Sequence, residues 1–232
     1  MNMSLRLSLW VVVCGVAATL GCADHHCVCP DGCGDILFAD DFEDGDLSGW
    51  VDHYVCSPIG SHEFAIQSSE ADSGHILRHQ GGYSAGGGNG EIVVAELEQC
   101  EGLIIEADVR NVAAYHETAK AMGLAVRLDE SSGTQYLAWY SVSGDLFLYK
   151  TSGWSSCGPE ALVHLRTPAI QVGRSFRMGL SVVGDWLTIY VDGEALVSCR
   201  DTGPVLVGTG VGVVATAGVT HFDNVLVRKI NS

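Results

Sequence analysis

The sequence predicts an all-β fold, a sandwich of two antiparallel sheets. Apolar and polar residues alternate in RMGLSVV and again in WLTIYV, a pattern typical of half-buried strands. Gly184-Asp185 and Asp192-Gly193 stand between such runs, where two-residue hairpin turns need positive φ angles. No segment keeps a helical period. These observations together predict about a dozen short strands joined by tight turns.

The strands are predicted in order along the chain. ILFADDF (36–42) comes first, and the turn EDGDLSGW (43–50) follows it. Further strands are predicted at 63–69, 74–80, 91–98, 102–111, 121–130, 134–142, 145–151 and 161–167, and a C-terminal set lies within 174–227. The glycine-rich stretch 81–90 is predicted to be a loop, because neither GK[ST] nor a helical pattern follows it.

The charge balance excludes one class of partner. The 232 residues include 28 Asp and Glu against 12 Lys and Arg, a net charge of −16. Nucleic acids are bound by basic groups that neutralise phosphates, so this composition argues against them. It suits a soluble exported protein and is compatible with bound cations. With 47% hydrophobic residues, the chain can build the core of one large β domain.

Residues 1–21 are interpreted as an export signal. Arg6 precedes the apolar run LSLWVVVCGVAATL, which is too short to span a membrane. The ending ATLGC is typical of a bacterial lipoprotein acylated at Cys22, although the residues before it, Thr19 and Leu20, are in an unusual order. Cleavage near Ala18 or Ala23 without lipid is the alternative. We therefore expect a lipoprotein of the bacterial outer membrane or cell surface, held to the membrane only by its lipid, or a secreted protein.

Nine cysteines in an exported chain predict disulfide bonds. Residues 22–35, CADHHCVCPDGCGD, are interpreted as a Cys-rich linker, in which disulfides are favoured over a zinc or copper site. Once Cys14 leaves with the signal, seven cysteines remain to form disulfides if Cys22 is lipidated, and eight if Cys22 is retained without lipid. Two pairs are predicted, Cys157 with Cys199 and Cys56 with Cys100.

Several segments resemble, in the right order, the concanavalin A-like lectin/glucanase superfamily, which includes laminin-G-like jelly rolls. LFADDFEDGDLSGW resembles its opening strand, QYLAWYSVSGDLFLYK its central hairpins, and FDNV after a VDG hairpin its last strand. The resemblance covers roughly 36–228 and implies one concanavalin A-like jelly-roll domain over 36–232. Lectins, sugar-binding modules and glycosidases share this fold, so the site must decide the function.

A catalytic acid pair is not predicted. In the glucanase branch of this superfamily the acids lie on one strand as E-x-D-x-(x)-E. Glu106 and Asp108 fill the first two places here, but Arg110 and Asn111 stand where the second acid should be. Glycoside hydrolysis normally needs two carboxylates across the bond, so we interpret this strand as a polar stripe. An enzyme using Glu106 with Asp108 or Asp129 is the alternative.

The resemblance also implies a structural calcium ion that bridges the first and last strands. Asp223 in HFDNV matches the ligand of the final strand, and Asp41, or Asp40, would supply the opposite side. Carboxylate and carbonyl oxygens are the ligands that calcium prefers. The alternative is that Asp223 only hydrogen-bonds nearby backbone N–H groups.

A glycan site is predicted where aromatic residues are most frequent. These are Tyr136, Trp139, Tyr140, Tyr149 and Trp154. Alternation places Tyr136 and Tyr140 on one face of their strand, and Arg127 is predicted to share a face with Asp129. We therefore predict that Arg127, Tyr136 and Tyr140 bind carbohydrate on a concave sheet. The alternative is that the tyrosines pack in the core, where Trp50 and Trp186 are also predicted to lie.

The function predicted is an exported carbohydrate-binding module without catalytic activity, whose partner is a polysaccharide or another glycan. A glycosidase or lyase with a non-standard site is one alternative. A structural or adhesive surface protein without a glycan ligand is the other.

Overall fold

The computed structural model describes residues 34–55, 62–69, 74–81, 90–113, 121–155 and 160–230. These residues form fifteen strands, with no helix among them, which confirms the all-β prediction. The strands are β1 Ile36–Asp40, β2 Val51–Val55, β3 His62–Ser68, β4 His75–Gly81, β5 Gly90–Ala95, β6 Gly102–Ala113, β7 Ala121–Asp129, β8 Thr134–Ser141, β9 Asp145–Ser152, β10 Glu160–Arg166, β11 Ser175–Val183, β12 Trp186–Val191, β13 Glu194–Arg200, β14 Gly210–Ala215 and β15 Gly218–Lys229.

The strands form two antiparallel sheets packed face to face. The eight-stranded sheet has the order β13-β12-β11-β6-β15-β4-β3, and β1 also pairs with β15. The seven-stranded sheet has the order β10-β9-β8-β7-β14-β5-β2. Strands distant in sequence are neighbours in both sheets, as in a jelly-roll sandwich.

The two predicted hairpin turns are confirmed. Gly184 has a φ of 57° between β11 and β12, while Asp192 and Gly193 have φ angles of 50° and 81° between β12 and β13. The right-handed twist of paired strands requires such left-handed residues in a two-residue turn. Glycine supplies this conformation without a Cβ clash, so these dipeptides set the register of the C-terminal strands.

The core lies between the sheets. Residues such as Leu124 of β7 and Leu180 of β11 are fully buried there. Trp50 belongs to this core, as predicted, and its Nε1 donates a hydrogen bond to Asp40 Oδ2 at 2.6 Å. The prediction for Trp186 is wrong, because this side chain is 53% exposed. Its neighbour Leu187 faces the core, so alternation turns Trp186 towards solvent.

Strand β2, VDHYV, was not predicted from the sequence. In the described part of the chain it is an edge strand paired with β5 alone, and both Asp52 and His53 lie in its centre. Polar residues at two successive positions break the alternation on which strand prediction depends. Its place in the sheet comes from β5, whose six residues are all buried.

Most of the N-terminal predictions concern residues outside the described part of the chain. The export signal, the lipidated Cys22 and most of the linker lie before residue 34. Cys100 and Cys199 are half-buried, but their predicted partners Cys56 and Cys157 also lie outside the described ranges, so both pairings remain predictions. In the described ranges no helix is long and apolar enough to cross a membrane.

Candidate functional site: the outer face of the seven-stranded sheet

The two tyrosines predicted to bind glycan lie inside the protein. Tyr136 and Tyr140 do share one face of β8, as alternation requires, but this face belongs to the core, where they are 0% and 6% exposed. The Tyr136 hydroxyl donates a hydrogen bond to Asp201 Oδ2 at 2.5 Å and accepts one from Leu206 N at 3.0 Å. Their burial does not support a direct contact with a glycan.

Arg127 also differs from the sequence prediction. A register irregularity separates Val126 from Asp129, and Arg127 has a φ of 53°. This bulge breaks the alternation on which its predicted face depended. Its guanidinium donates hydrogen bonds to the carbonyl oxygens of Cys100 and Glu101, at 2.6 and 2.7 Å, and only 7% of the residue is exposed. Arg127 therefore joins β7 to the segment that leads into β6 of the other sheet.

The opposite face of the seven-stranded sheet is its outer face. One row of directly paired residues crosses it through every strand: His53, Ile92, Val214, Gly123, Trp139, Phe147 and His164. Histidines stand at both ends of this row, and the aromatic residues lie towards β10. We call these seven residues the transverse row.

Small residues in the middle of the outer face make room for the indole of Trp139. Trp139 belongs to β8, yet a Cβ atom on Gly90 of β5 would lie 3.6 Å from its ring. Two strands separate β8 from β5, so the indole lies across the sheet. At Gly123 a Cβ would be 2.1 Å from the Ala138 carbonyl oxygen, so this position of β7 cannot carry a side chain. A half-buried indole that reaches Gly90 therefore forms part of this surface.

Three aromatic rings continue the surface towards β10. The ring planes of Phe147 and Tyr149 are 10° apart, with centroids separated by 5.1 Å. Phe147 is also stacked on His164, with centroids 4.1 Å apart. His164 Nε2 lies 3.0 Å from Asp145 Oδ1, and this hydrogen bond, followed by that from Ser143, holds the pKa of Asp145 below its usual range.

A second stack lies towards the opposite edge of the sheet. The rings of His53 and Trp154 are 11° from parallel, with centroids 4.4 Å apart. His53 Nε2 lies 3.2 Å from Glu130 Oε1, and Trp154 Nε1 donates a hydrogen bond to the Glu130 carbonyl oxygen at 3.0 Å. Glu130 thus ties both rings to the turn after β7. The tertiary structure alone brings His53 and Trp154 together.

A cavity of about 650 Å³ opens beside this turn. Its described lining comprises Glu96, Asp129, Glu130, Ser131, Thr134 and residues 205–209. The segment before β14 forms one wall of the cavity. The Tyr136 hydroxyl supports this wall from the core side, because it accepts a hydrogen bond from Leu206 N and donates one to Asp201. Lys150 Nζ adds a contact of 2.6 Å to Asp201. Burial and the Asp201 hydrogen bond raise the pKa of Tyr136, so its hydroxyl stays protonated. The tyrosine predicted to touch the ligand instead supports this cavity.

The two predicted calcium ligands lie near the start of the chain and in β15. Burial raises the pKa of Asp223, and the negative charges of Asp108, Glu43 and Asp41 raise it further. Asp223 Oδ1 accepts a hydrogen bond from Asn224 N at 2.7 Å, and Asp41 Oδ1 accepts one from Glu43 N at 3.2 Å. Within the described ranges, no group of three or more His, Cys, Asp or Glu residues is arranged to hold a metal ion.

The strand considered for catalysis carries ion pairs. Glu106 contacts Arg228, and Asp108 Oδ1 lies 3.2 Å from Arg177 Nη1. Asp108 also accepts a hydrogen bond from Asn224 Nδ2 at 2.9 Å. Both carboxylates are on the outer face of the eight-stranded sheet, remote from the transverse row. This arrangement agrees with the polar stripe expected from the sequence.

Comparison with solved structures identifies proteins of the same fold at low sequence identity. A protein of unknown function with a galectin-like fold from Bacillus subtilis has a TM-score of 0.62 and 15% identity over 85% of this chain and 97% of its own. Cellulose induced protein Cip1 has a TM-score of 0.60 and 14% identity over 84% and 98%. The carbohydrate binding module CBM66 from Bacillus subtilis has a TM-score of 0.56 and 16% identity over 79% and 98%.

No family model matches the sequence, and neither does any curated protein. The structural similarity therefore concerns the fold, since all three identities are below one fifth. It extends over nearly the whole of each neighbour. The chain has a two-sheet antiparallel jelly-roll sandwich, the fold class that the sequence predicted.

Proposed function

We propose that this protein binds a glycan on the outer face of its seven-stranded sheet. The observation that carries the proposal is the run of aromatic side chains in the transverse row, Trp139, Phe147 and His164, beside small residues. Pyranose rings present apolar C–H faces and polar rims. A half-exposed indole with hydrogen-bonding groups nearby offers the matching surface.

Polar groups beside the rings supply the hydrogen bonds that hydroxyl groups of a sugar need. Asp145 and His164 lie at the β10 end, and Glu130 and His53 at the β2 end. Each histidine is held by a carboxylate, which fixes the ring orientation before a ligand arrives. Prearranged groups of this kind reduce the entropy that binding costs.

The neighbours of the same fold support this assignment. One is described as a carbohydrate binding module, and another, from Emp46p, as a carbohydrate recognition domain with a TM-score of 0.54. Other neighbours include a putative glycosyl hydrolase. We propose binding without catalysis, because Glu106 and Asp108 are already engaged by arginines and lie away from the transverse row.

We further propose that the domain acts outside the cell and carries calcium. The signal-like residues 1–21 and the cysteine content support export, with Cys22 as the lipid anchor of a bacterial surface protein. Asp41 and Asp223 are the proposed calcium ligands, because nearby acids already raise the pKa of Asp223 and a divalent cation would offset their repulsion. This ion would join the two ends of the domain.

Calorimetric titration with a panel of soluble β-glucans, fructans, mannans and pectins tests the binding proposal. Trp139→Ala should weaken binding at least tenfold, about 1.4 kcal/mol, since stacked aromatic residues are common binding hot spots. Trp186→Ala is the matched control, because Trp186 is exposed on the other sheet. Equal affinities for wild type and Trp139→Ala would refute the site. Failure of every glycan to bind would refute the function.

A further inference from the structure

A carboxyl and an imidazole group are enclosed between the two sheets, beneath the edge strand β2. Glu91 of β5 and His79 of β4 are 1% and 0% exposed. Glu91 Oε2 lies 3.6 Å from His79 Nε2. This pair is separate from the aromatic residues of the outer face. It is the most deeply buried titratable contact in the described part of the chain.

Other acids face Glu91 from the neighbouring strands. Asp52 comes from β2 and Glu63 from β3, while β4 presents His79 and β14 places Ala215 opposite Glu91. Burial raises the pKa of Glu91 to about 8, helped by the hydrogen bond and charge of Asp52 and by the charge of Glu63. Burial also raises the pKa of Asp52. At neutral pH, Glu91 therefore carries a proton that it shares with Asp52.

Strand β2 is the element that would separate from the sheet if Glu91 lost this proton. Among the described strands it pairs only with β5, at the edge of the seven-stranded sheet. Asp52 faces Glu91, while the next residue, His53, faces outwards and stacks on Trp154. Consecutive residues of a strand point to opposite faces, so one short strand connects Asp52, which contacts the buried Glu91, to the outer face.

We propose that the proton on Glu91 regulates the glycan-binding face by keeping β2 docked. When Glu91 releases its proton to solvent, two carboxylates lie side by side between β2 and β5. Their repulsion and the cost of a buried charge then favour a state in which β2 separates and the His53–Trp154 stack opens. The effect on binding rests on the proposed function, whereas the movement of the strand does not.

Hydrogen exchange of the Val51–Val55 amide groups, corrected for intrinsic rates, tests the strand movement without any ligand. Protection should fall by up to tenfold per pH unit as pH rises from 4.5, the ordinary pKa of a Glu, to about 8, and should then level off, because the opened state holds one proton fewer only over this range. Glu91→Gln keeps a neutral side chain and should remove this dependence. Glu63→Gln is the control, since this exposed acid contributes least to the pKa, and should retain it. The same pH dependence in Glu91→Gln would overturn the proposal.

Asp52→Asn provides a second variant if Glu91→Gln folds poorly. It removes the repelling carboxylate but leaves Glu91 in place, so the loss of protection as pH rises to about 8 should be smaller than in the wild type. Protection that falls as steeply as in the wild type would count against the mechanism.

Glycan titrations at the two ends of this range, near pH 4.5 and just above pH 8, then test the regulation. Affinity should fall in parallel with the protection of β2 in the wild type and stay constant in Glu91→Gln. Equal wild-type affinity at both pH values, despite an opened β2, would overturn the regulation. If no glycan binds at either pH, the proposed function fails, while the exchange data still decide whether Glu91 controls the strand.

Discussion

His53 Nε2 lies 3.2 Å from Glu130 Oε1, so the edge strand β2 is joined to the turn after β7 across the outer face of the sheet. Two strands, β14 and β5, separate β7 from β2 in the sheet. Trp154 closes the contact by stacking on the imidazole ring. This link spans the surface where we propose that a glycan binds.

Removal of the imidazole should loosen this link. His53→Ala removes one stacking contact and one hydrogen bond, so we expect a stability loss of about 1 kcal/mol. The fluorescence of Trp154 should shift towards that of an exposed indole. Chemical denaturation and emission spectra, compared with Trp154→Phe to assign the signal, are the measurements. His164→Ala, at the opposite end of the transverse row, should leave the Trp154 signal unchanged.

Tyr136→Phe should destabilise the protein more than Tyr140→Phe. Loss of the Tyr136 hydroxyl deprives buried Asp201 and the Leu206 N–H of a partner, at a cost of about 1–3 kcal/mol. The Tyr140 hydroxyl hydrogen-bonds Thr167 Oγ1 at a partly buried position, and loss of this hydrogen bond should cost about 1 kcal/mol. Urea denaturation of the two variants gives this order, and equal losses would contradict the role assigned to Tyr136. Faster hydrogen exchange at residues 205–209 should accompany Tyr136→Phe alone.

Arg127→Met should reduce stability by roughly 2–3 kcal/mol. Its guanidinium satisfies two carbonyl oxygens, and hydrogen bonds from a charged donor are individually worth about 1.5–3 kcal/mol. Methionine keeps much of the side-chain volume but donates no hydrogen bond. Arg174→Met is the matched control, since Arg174 is 64% exposed and should change stability by less than about 0.5 kcal/mol. Thermal and urea unfolding measure the stability of both variants. An Arg127→Met variant as stable as the wild type would refute the role of Arg127 in joining the two sheets.

Acid should destabilise the protein through His221. Burial lowers its pKa to about 4, and the positive charges of Arg110 and Arg78, its cross-strand partners, lower it further. The folded state thus binds fewer protons than the unfolded state between about pH 6.5 and 4. This contribution to stability is present above pH 6.5 and is lost as pH falls towards 4.

Urea unfolding over this pH range measures the loss. His221→Gln should flatten the slope, whereas His75→Gln, with a 42% exposed ring, should retain it. Glu91 acts in the opposite direction, because its raised pKa gives stability that is lost as pH rises through about 8. Stability should therefore be greatest at mildly acidic to neutral pH. A maximum above pH 9 would contradict the assignment of Glu91, and stability that does not fall between about pH 6.5 and 4 would contradict that of His221.

Calcium at millimolar concentration should raise the melting temperature if Asp223 and Asp41 bind it, since ligand that binds only the folded state stabilises it. A chelator should reverse the increase. Asp223→Asn should abolish the response, and Asp192→Asn, an exposed acid in a hairpin turn, should not. An identical calcium response in wild type and Asp223→Asn would exclude this pair as ligands.

Much of the fold could be predicted because it depends on local spacing. Alternation in RMGLSVV and WLTIYV and the glycines of the two hairpins predicted strands and turns that the structure contains. The site could be predicted only in part. The aromatic-rich stretch contains Trp139, Tyr149 and Trp154, but the predicted glycan contacts Tyr136 and Tyr140 lie on the opposite face. The sequence around Arg127 contains no signal for a bulge, and the sequence around His53 contains none for its contact with Trp154.

Local spacing indicates most of the strands and, away from the bulge at Arg127, which side chains share a face, because a period of two is a property of the extended backbone. Only the tertiary structure decided which face of β8 meets the other sheet. Both faces are apolar, one with Tyr136 and Tyr140 and the other with Leu137 and Trp139, so hydrophobicity alone does not distinguish them. The choice depends on contacts with residues far along the chain, such as Asp201 for Tyr136 and Gly90 for Trp139.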